Sequence, residues 1–469
     1  MPPSGSTYGW DVFEKERGVI PTGHFAFGNG GETTLSVPAL AALATGVATM
    51  CYLPKRQIWI PFVVTAIMLP ATQDVVLFGL HFPIPRIAVV CAWIILLIGG
   101  KPFERLRGNG FGVIDKLFIG WVVTGTIAYT LLYHALGALV YRLGFAVSAL
   151  GGYFLLRQAI CDRGSMLRLI RLLAVLALVI GVLMLFELRT GQNLLAFMGA
   201  AATDEVREGR IRAQGPFVHS IVAGTAGAIL FPLFCGSIWV KSLRKYAVAG
   251  IVGSAAIIVA SASSTPIGGC LGGIAALCLW PLRRHMRMIR WAIVASLVGL
   301  QLVMKGPVWA LLLHFDATGS SSSWHRYMLV DECIRHFGDW WLIGTNQNAS
   351  WGYDMWDRAN WYVENAYTGG LSTLVCFVAM IVVAFKSIGI ARRRCAGDNA
   401  AERLVWAMGA ALVAATVCFI GIYLSDQSII IWFALLALIN AARKGALRGE
   451  APRSSTATAE QKEACLVSG

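Results

Sequence analysis

Uninterrupted runs of apolar residues, each long enough to cross a bilayer, recur along the whole of this chain. A helix of about 18 or more apolar residues spans the hydrocarbon core of a membrane. A soluble fold that is 57% hydrophobic and only 14% charged would leave large apolar patches in water. The sequence therefore predicts an all-α, polytopic bundle of transmembrane helices with 12 or 13 spans and a large external loop.

The second run is the least regular, because it contains Pro61, Pro70, Gln73 and Asp74. It is either a broken span or a re-entrant segment, and the span count depends on it. The expected spans are 36–53, 57–78, 83–100, 117–134, 137–156, 169–187, 219–239, 246–262, 266–282, 290–304, 368–387, 403–424 and 427–442. Residues 1–35 would form an N-terminal tail, 36–442 the transmembrane domain and 443–469 a C-terminal tail.

The net charge of +14 comes from basic clusters between the apolar runs, which does not fit a nucleic-acid-binding face. These clusters lie at every second connection, so the positive-inside rule places all of them in the cytoplasm, together with the C-terminal tail. Thirteen spans would put the N-terminus outside, and twelve would put it inside. The clusters are 101–107, 157–171, 241–245, 283–290, 386–394 and 443–448.

The same alternation places two long connections outside, at 189–218 and 305–367. The second is too long for a simple connector, and it carries seven of the chain's 16 tryptophans. These indoles would form an interfacial belt or stack on sugar rings. The 11 cysteines lie mostly inside apolar runs and show neither a disulfide nor a metal-binding spacing, so no metal or cofactor is expected.

Arginines on the two external connections point to phosphate chemistry. Arg210 and Arg212 lie on the first connection and Arg326 on the second, against the positive-inside bias. A guanidinium binds phosphate oxygens through two parallel hydrogen bonds, and the diphosphate of a lipid lies at the membrane surface. The alternative is simple ion pairing with Glu208 and Asp331.

Activation of an acceptor hydroxyl would need a general base. Four residues of the external connections are candidates for that role: His219, Asp331, Glu332 and Glu364. His219 can equally be an interfacial histidine at the start of a span. Glu332 can equally pair with Arg335, three residues further on in an amphipathic helix.

Three stretches resemble the O-antigen ligase and O-antigen or exopolysaccharide polymerase family. Residues 212–217, followed by His219, resemble its Arg-x-x-Gly-x-Phe segment. Residues 324–328 and 341–345 resemble an external arginine, a helix and a Gly-containing turn. Residues 363–367 and 369–371 resemble its His-Asn-x-Tyr-Leu and Glu-x-Gly-Leu stretches. The resemblance covers roughly residues 200–390.

That resemblance implies a metal-independent, inverting membrane glycosyltransferase on the periplasmic side of the bacterial inner membrane. The donor would be a polyprenyl-diphosphate-linked glycan and the acceptor another glycan or a lipid A core, with a flippase and a chain-length regulator as partners. The catalytic residues would be Arg212, Arg326, Glu364 and His219. The substrate-binding residues would be Arg210, Gln214, His325, Asn365, Trp324 and Trp361.

Two departures from the family pattern keep other functions open. The family's Ser-Arg-Gly motif is replaced by residues 263–266, without the arginine, and Glu364 stands where the family has a histidine. One alternative is a transporter or flippase for polysaccharide or lipid-linked glycan, although the spans are nearly free of charge. The other is an inactive accessory of an export machine.

Overall fold

The computed structural model describes residues 33–77, 80–98, 110–201, 206–207, 209–314, 322–352 and 355–447. Within them, nine helices are long and apolar enough to cross a membrane, and four shorter apolar helices accompany them. Each of the thirteen predicted spans coincides with one of these helices. The chain is therefore an all-α, multi-pass membrane protein, as predicted; its predicted terminal tails lie almost wholly outside the described residues.

The helices and strands follow one another in a simple order. The helices are α1 Val37–Tyr52, α2 Trp59–Met68, α3 Ile84–Ile98, α4 Val113–Tyr133, α5 Leu136–Ala159, α6 Arg163–Thr190, α7 Ser220–Ser237, α8 Arg244–Ala260, α9 Ser264–Cys278, α10 Met286–Val303, α11 Ser322–Arg335, α12 Phe337–Trp340, α13 Trp361–Arg394, α14 Asn399–Cys418 and α15 Asp426–Lys444. The strands are β1 Asp74–Leu77, β2 Leu80–Pro83, β3 Val206–Arg207 and β4 Arg210–Ile211, forming two antiparallel hairpins.

Contacts between connections define two ends of the bundle. At one end, Arg392 donates to the carbonyl of Arg283 at 2.5 Å, and Arg163 lies 3.8 Å from Asp398. We call this the basic end, because the predicted basic clusters meet there. At the opposite end, which we call the loop end, lie the two long connections and the β1–β2 hairpin. The predicted alternation of the spans matches this arrangement.

The second predicted span, 57–78, is broken, which is one of the two alternatives that its prolines left open. Helix α2 stops at Met68, because Pro70 has no N–H to continue the helical ladder, and β1 follows. Its ten residues rise only about 15 Å, half a bilayer. The carbonyl freed at Leu69 accepts a hydrogen bond of 3.0 Å from the buried amide of Gln427. A helix end inside a membrane requires such a partner.

The centre of the bundle is formed by α7 and α15. In these two helices, 83% and 89% of the residues in the apolar segment are buried. Helix α7 packs against α8, α9 and α14, while α15 packs against α5 and α13. In α10, none of the residues in the apolar window is buried by the rest of the described structure. Its apolar side chains are therefore available to contact lipid.

A buried polar network joins α4, α5 and α15 near the basic end. Asp115 accepts hydrogen bonds from Tyr153 at 2.5 Å, from Arg157 at 3.2 Å and from Asn440 at 2.8 Å. The Gly112 amide also donates to this carboxylate at 2.8 Å. All four side chains are at most 2% exposed. A charge this deep in the bundle is tolerated because its oxygens are occupied.

Helix α13 begins at Trp361, seven residues before the predicted span, and breaks at Gly370, where φ is 68°. The turn after α12 docks against this break. The Thr345 amide donates to the carbonyl of Tyr367 at 2.8 Å, and the Leu371 amide donates to the carbonyl of Trp341 at 2.8 Å. The second and third stretches of the family resemblance therefore contact each other directly.

Candidate functional site

The first long connection is fixed to α6 by Glu187, a fully buried carboxylate in the last turn of that helix. One of its oxygens accepts from the Gln214 amide at 3.1 Å and the other from the Gly215 amide at 2.8 Å. A carboxylate is unfavourable at a helix C-terminus, so the two loop amides explain its presence. Sequence reasoning missed Glu187; the available signal was an acidic residue inside an apolar run.

Arg212 follows from this anchoring, because it lies just before the fixed residues. Its side chain is 5% exposed, and its Nε donates to the carbonyl of Ser261 at 3.4 Å. The neighbouring Ala213 amide donates to the carbonyl of Ala260 at 3.0 Å. The predicted phosphate-binding arginine is thus held against the end of α8.

Arg326 approaches the same region from the second long connection. It lies on α11, and its Nη2 donates to the hydroxyl of Thr265 at 2.7 Å. Gly421 leaves room for this contact, since a Cβ there would lie 2.7 Å from the Thr265 hydroxyl and 2.9 Å from the Arg326 Nε. The absence of a side chain at 421 is therefore part of what seats Arg326.

Arg212 and Arg326 thus contact one short segment: Arg212 binds the carbonyl of Ser261 just after α8, and Arg326 binds the hydroxyl of Thr265 in the first turn of α9. Ala262 within it has a left-handed φ of 45°, and strain of this kind concentrates at functional sites. Helix α9 starts here, and its N-terminus adds partial positive charge. Two guanidinium groups and a helix N-terminus make this position suited to a polyanion.

Residues 263–266, which lack the arginine of the Ser-Arg-Gly motif they resemble, overlap this segment and run into the first turn of α9. The arginine that contacts it comes instead from α11. The sequence alone does not reveal the contact between Arg326 and Thr265, because the two residues are 61 positions apart.

Glu364 lies in the first turn of α13, on a helix rather than in the predicted loop. Its Oε2 is 3.6 Å from the Nη1 of Arg358. Burial lowers the pKa of the Arg358 guanidinium, but Glu364 and the Tyr133 hydroxyl more than offset this, so the pKa lies above its ordinary value. The pairing fixes the position of the Glu364 carboxylate at the start of α13. Arg358 was not singled out from the sequence.

His219 and Gln214 share the connection that carries Arg212. His219 is half-buried at the N-cap of α7, with extended backbone. Gln214 is buried, and its side-chain amide donates to the carbonyl of Ala201 at 3.2 Å, so it supports the shape of the loop. Arg210 lies in β4, and its side chain falls outside the described part of the structure.

Trp324 and His325 precede Arg326 on α11. Trp324 is 46% exposed, so its indole is open to a ring, although residues two apart on a helix point to different sides. The His325 Nε2 lies 3.1 Å from the carbonyl of Asp357 and 3.8 Å from its carboxylate. Of the two, Trp324 is the one placed for ring stacking.

Trp361 and Asn365, in contrast, belong to the core. Trp361 is 4% exposed, and its ring packs against Phe419 at 4.6 Å and Phe377 at 4.8 Å between centroids. The Oδ1 of Asn365 accepts from the Trp121 indole at 2.5 Å, and its amide donates to the Trp361 carbonyl at 2.6 Å. These contacts make both residues packing elements, since a sugar cannot reach the Trp361 ring.

The remaining base candidates are ion-paired along α11. Asp331 lies 2.7 Å from Arg335 and accepts from the Trp309 indole at 3.0 Å. Glu332 lies 3.2 Å from His336 rather than pairing with Arg335 as the spacing suggested. Both carboxylates thus have partners within their own loop, which favours a structural role.

Among the residues that the structure describes, no three His, Cys, Asp or Glu side chains lie together in a way that could hold a metal ion. Comparison with known proteins adds no relative: no family model matches the chain, and no curated protein matches it. The chemistry of the site is therefore inferred from its own residues.

Proposed function

We propose that this protein transfers or polymerises a glycan carried on a polyprenyl diphosphate, at the face of the membrane away from the cytoplasm. The observation that supports it is that Arg212 and Arg326, from two separate connections, both contact residues of the segment 261–265. That position lies at the loop end of a membrane bundle, where the diphosphate of a lipid-linked donor resides. In a bacterium it would be the periplasmic face of the inner membrane.

The chemistry follows from where charge develops. As the bond between the anomeric carbon and the diphosphate breaks, negative charge grows on the leaving oxygens. Arg212, Arg326 and the N-terminus of α9 would stabilise that charge without a metal. Groups fixed beforehand by neighbouring contacts reorganise little during the reaction, and the anchoring of Arg212 by the Glu187-bound loop serves this purpose.

The acceptor would attack from the opposite side of the anomeric carbon, so that its configuration inverts. Its hydroxyl proton needs a base, and we assign that role to His219 or Glu364. His219 lies on the connection that carries Arg212, and Glu364 is positioned by its contact with Arg358. Trp324, exposed on the same helix as Arg326, would stack on a sugar ring. The acceptor would be a growing glycan or a lipid A core, with a flippase and a chain-length regulator as partners.

Transport is the competing function, and it would use charges inside the bundle. The Asp115–Arg157 pair is such a feature. However, Tyr153, Asn440 and the Gly112 amide bind the same carboxylate and tie three helices together. A pair enclosed in this way favours a structural role over an ion or substrate path.

Gel electrophoresis of surface polysaccharide tests the proposal. It compares cells carrying Arg212→Ala or Arg326→Ala with a deletion strain. Arg189→Ala is the matched control, an exposed arginine at the end of α6 on the same side. We expect the first two variants to reproduce the deletion pattern at normal membrane levels, and the control to make normal polymer. Single repeats on the core would indicate a lost polymerase, and bare core a lost ligase. Normal polymer from both variants would refute the diphosphate clamp.

A further inference from the structure

The basic end carries a stack of alternating arginine and tryptophan side chains. The Arg403 guanidinium lies 3.7 Å from the ring centre of Trp239 and 5.1 Å from that of Trp280. The Arg283 guanidinium also lies over the Trp280 ring, 4.2 Å from its centre. These residues come from the end of α7, the turn after α9 and the first turn of α14, so folding brings them together.

A third tryptophan extends the stack to α13. Trp406 packs edge-on against Trp280 at 5.8 Å, and Arg392 lies 5.9 Å from the Trp406 ring centre. Arg392 also donates to the carbonyl of Arg283 at 2.5 Å. We call this set the Arg/Trp stack; its members are Trp239, Trp280, Trp406, Arg283, Arg392 and Arg403.

The stack has more positive than negative charge. One carboxylate, that of Glu402, pairs with two of the three arginines. It lies 3.5 Å from Arg283 and 4.0 Å from Arg392. The nearby Asp398 lies 3.8 Å from Arg163 instead. Three guanidinium groups against one carboxylate repel one another unless an anion joins them.

Arg403 shows where such an anion is needed. Its Nε is buried and has no hydrogen-bond partner among the described residues, although a buried N–H without a partner costs free energy. The rings that hold its guanidinium attract its charge but leave this donor unsatisfied.

Apolar surface adjoins the charge. Trp239 is 52% exposed and Leu282 48% exposed, and the outward face of α9 presents Leu271 at 60% and Ile274 at 36%. Tryptophan and arginine at a helix end are typical of the level of lipid headgroups. An acyl chain could therefore lie along α9 while its headgroup reaches the arginines.

We propose that the Arg/Trp stack binds the phosphate headgroup of an anionic phospholipid in the leaflet at the basic end. Guanidinium groups bind phosphate through paired hydrogen bonds, and basic sites between helices on the cytoplasmic side recognise such lipids. Bound there, one lipid would link the ends of α7, α9, α13 and α14. This site is at the opposite end from the diphosphate clamp and does not depend on the proposed function.

Thermal unfolding of the purified full chain in detergent tests the site. The additions are phosphatidylglycerol, phosphatidylcholine with the same acyl chains, or inorganic phosphate alone. We expect phosphatidylglycerol to raise the unfolding midpoint by several degrees more than phosphatidylcholine, with no such rise from phosphate. Equal effects of the two lipids would overturn the proposal in favour of general apolar solvation. An equal effect of phosphate alone would overturn it in favour of an ion site.

Variants locate the effect. Arg283→Gln with Arg403→Gln should abolish the difference between the two lipids, whereas Arg168→Gln on α6 should keep it, although it removes an exposed positive charge at the same end. If the double variant does not fold, Arg403→Lys replaces it, and native mass spectrometry counts the phosphatidylglycerol that stays bound. We expect fewer bound lipids with Arg403→Lys than with the wild type. An unchanged count, or equal loss with Arg168→Gln, would show that the stack is not the binding site.

Discussion

The Thr345 amide and the Tyr367 carbonyl are joined by a 2.8 Å hydrogen bond that links the second long connection to α13. The carbonyl is available because the helix breaks at Gly370. Both this residue and Gly344 have left-handed φ values, 68° and 91°. The break and the docked turn therefore depend on each other, and two glycines make both possible.

Replacing either glycine with alanine should loosen the large loop. A residue with a side chain in the left-handed region costs about 1–3 kcal/mol, and a Cβ on Gly370 would also lie 2.5 Å from the Leu342 carbonyl oxygen. We expect Gly344→Ala and Gly370→Ala to lower the thermal unfolding midpoint and to speed proteolysis of residues 340–360. Gly389→Ala, further along α13 with open space around it, should be neutral or stabilising. Normal protease resistance in both variants would contradict the dependence.

Substitutions in the Asp115 network should lower the free energy of unfolding most where they leave a buried charge without a partner. Asp115→Asn leaves Arg157 buried without its carboxylate, so we expect a loss of about 3–5 kcal/mol. Tyr153→Phe removes one hydrogen bond and should cost about 1 kcal/mol. Denaturation in detergent micelles measures both.

The same network offers a rescue. Arg157→Met added to Asp115→Asn removes the uncompensated charge, so the pair of changes should be more stable than Asp115→Asn alone. If the second change destabilises further, Arg157 has a role beyond neutralising Asp115.

Cys333 should resist alkylation although it lies on the large external loop. Burial raises the pKa of its thiol to about 12, partly countered by a hydrogen bond from Tyr367. At pH 8 roughly one such thiol in ten thousand is ionised, and the thiolate is the reactive form. We expect N-ethylmaleimide to label the Cys333 peptide far more slowly than a cysteine placed at Ala349, which is exposed in the same loop. Mass spectrometry of the peptides compares the two rates, and similar rates would show that the thiol is not protected.

The spans were predictable because a bilayer requires long apolar helices, whatever their neighbours are. The helices differ from the predicted spans where their ends depend on contacts with other parts of the chain. Helix α2 is completed by Gln427, a residue far along the chain, rather than by its own continuation. Helix α13 extends out of its apolar run because Asn360 caps its start and the docked turn supports its break.

The site was predictable in part. Arginine on the outer connections marked Arg212 and Arg326, since the positive-inside rule makes them exceptional. The contacts of Arg212 with Ser261 and of Arg326 with Thr265 join residues far apart in the sequence, so no local pattern predicts them. The buried positions of Trp361 and Asn365 depend likewise on packing against Phe419 and Trp121.

Glu187 should control the site without being able to touch a substrate at its buried position. Its two oxygens each accept one loop amide, and glutamine would offer an oxygen to only one of them. A buried amide left without an acceptor costs about 1–3 kcal/mol. We expect Glu187→Gln to reach the membrane at near-normal levels but to lose surface polysaccharide as Arg212→Ala does, because the segment that carries Arg212 is no longer fixed.

Arg189→Gln is the matched control, two residues away on the exposed surface of the same helix end, and it should leave the polysaccharide unchanged. Glu187→Asp keeps the charge but shortens the reach to both amides, so it should lie between the wild type and glutamine. The comparison also separates two explanations of failure. If Arg212→Ala abolishes the polymer while Glu187→Gln makes it normally, the loop is positioned by other contacts, and the carboxylate contributes only to stability.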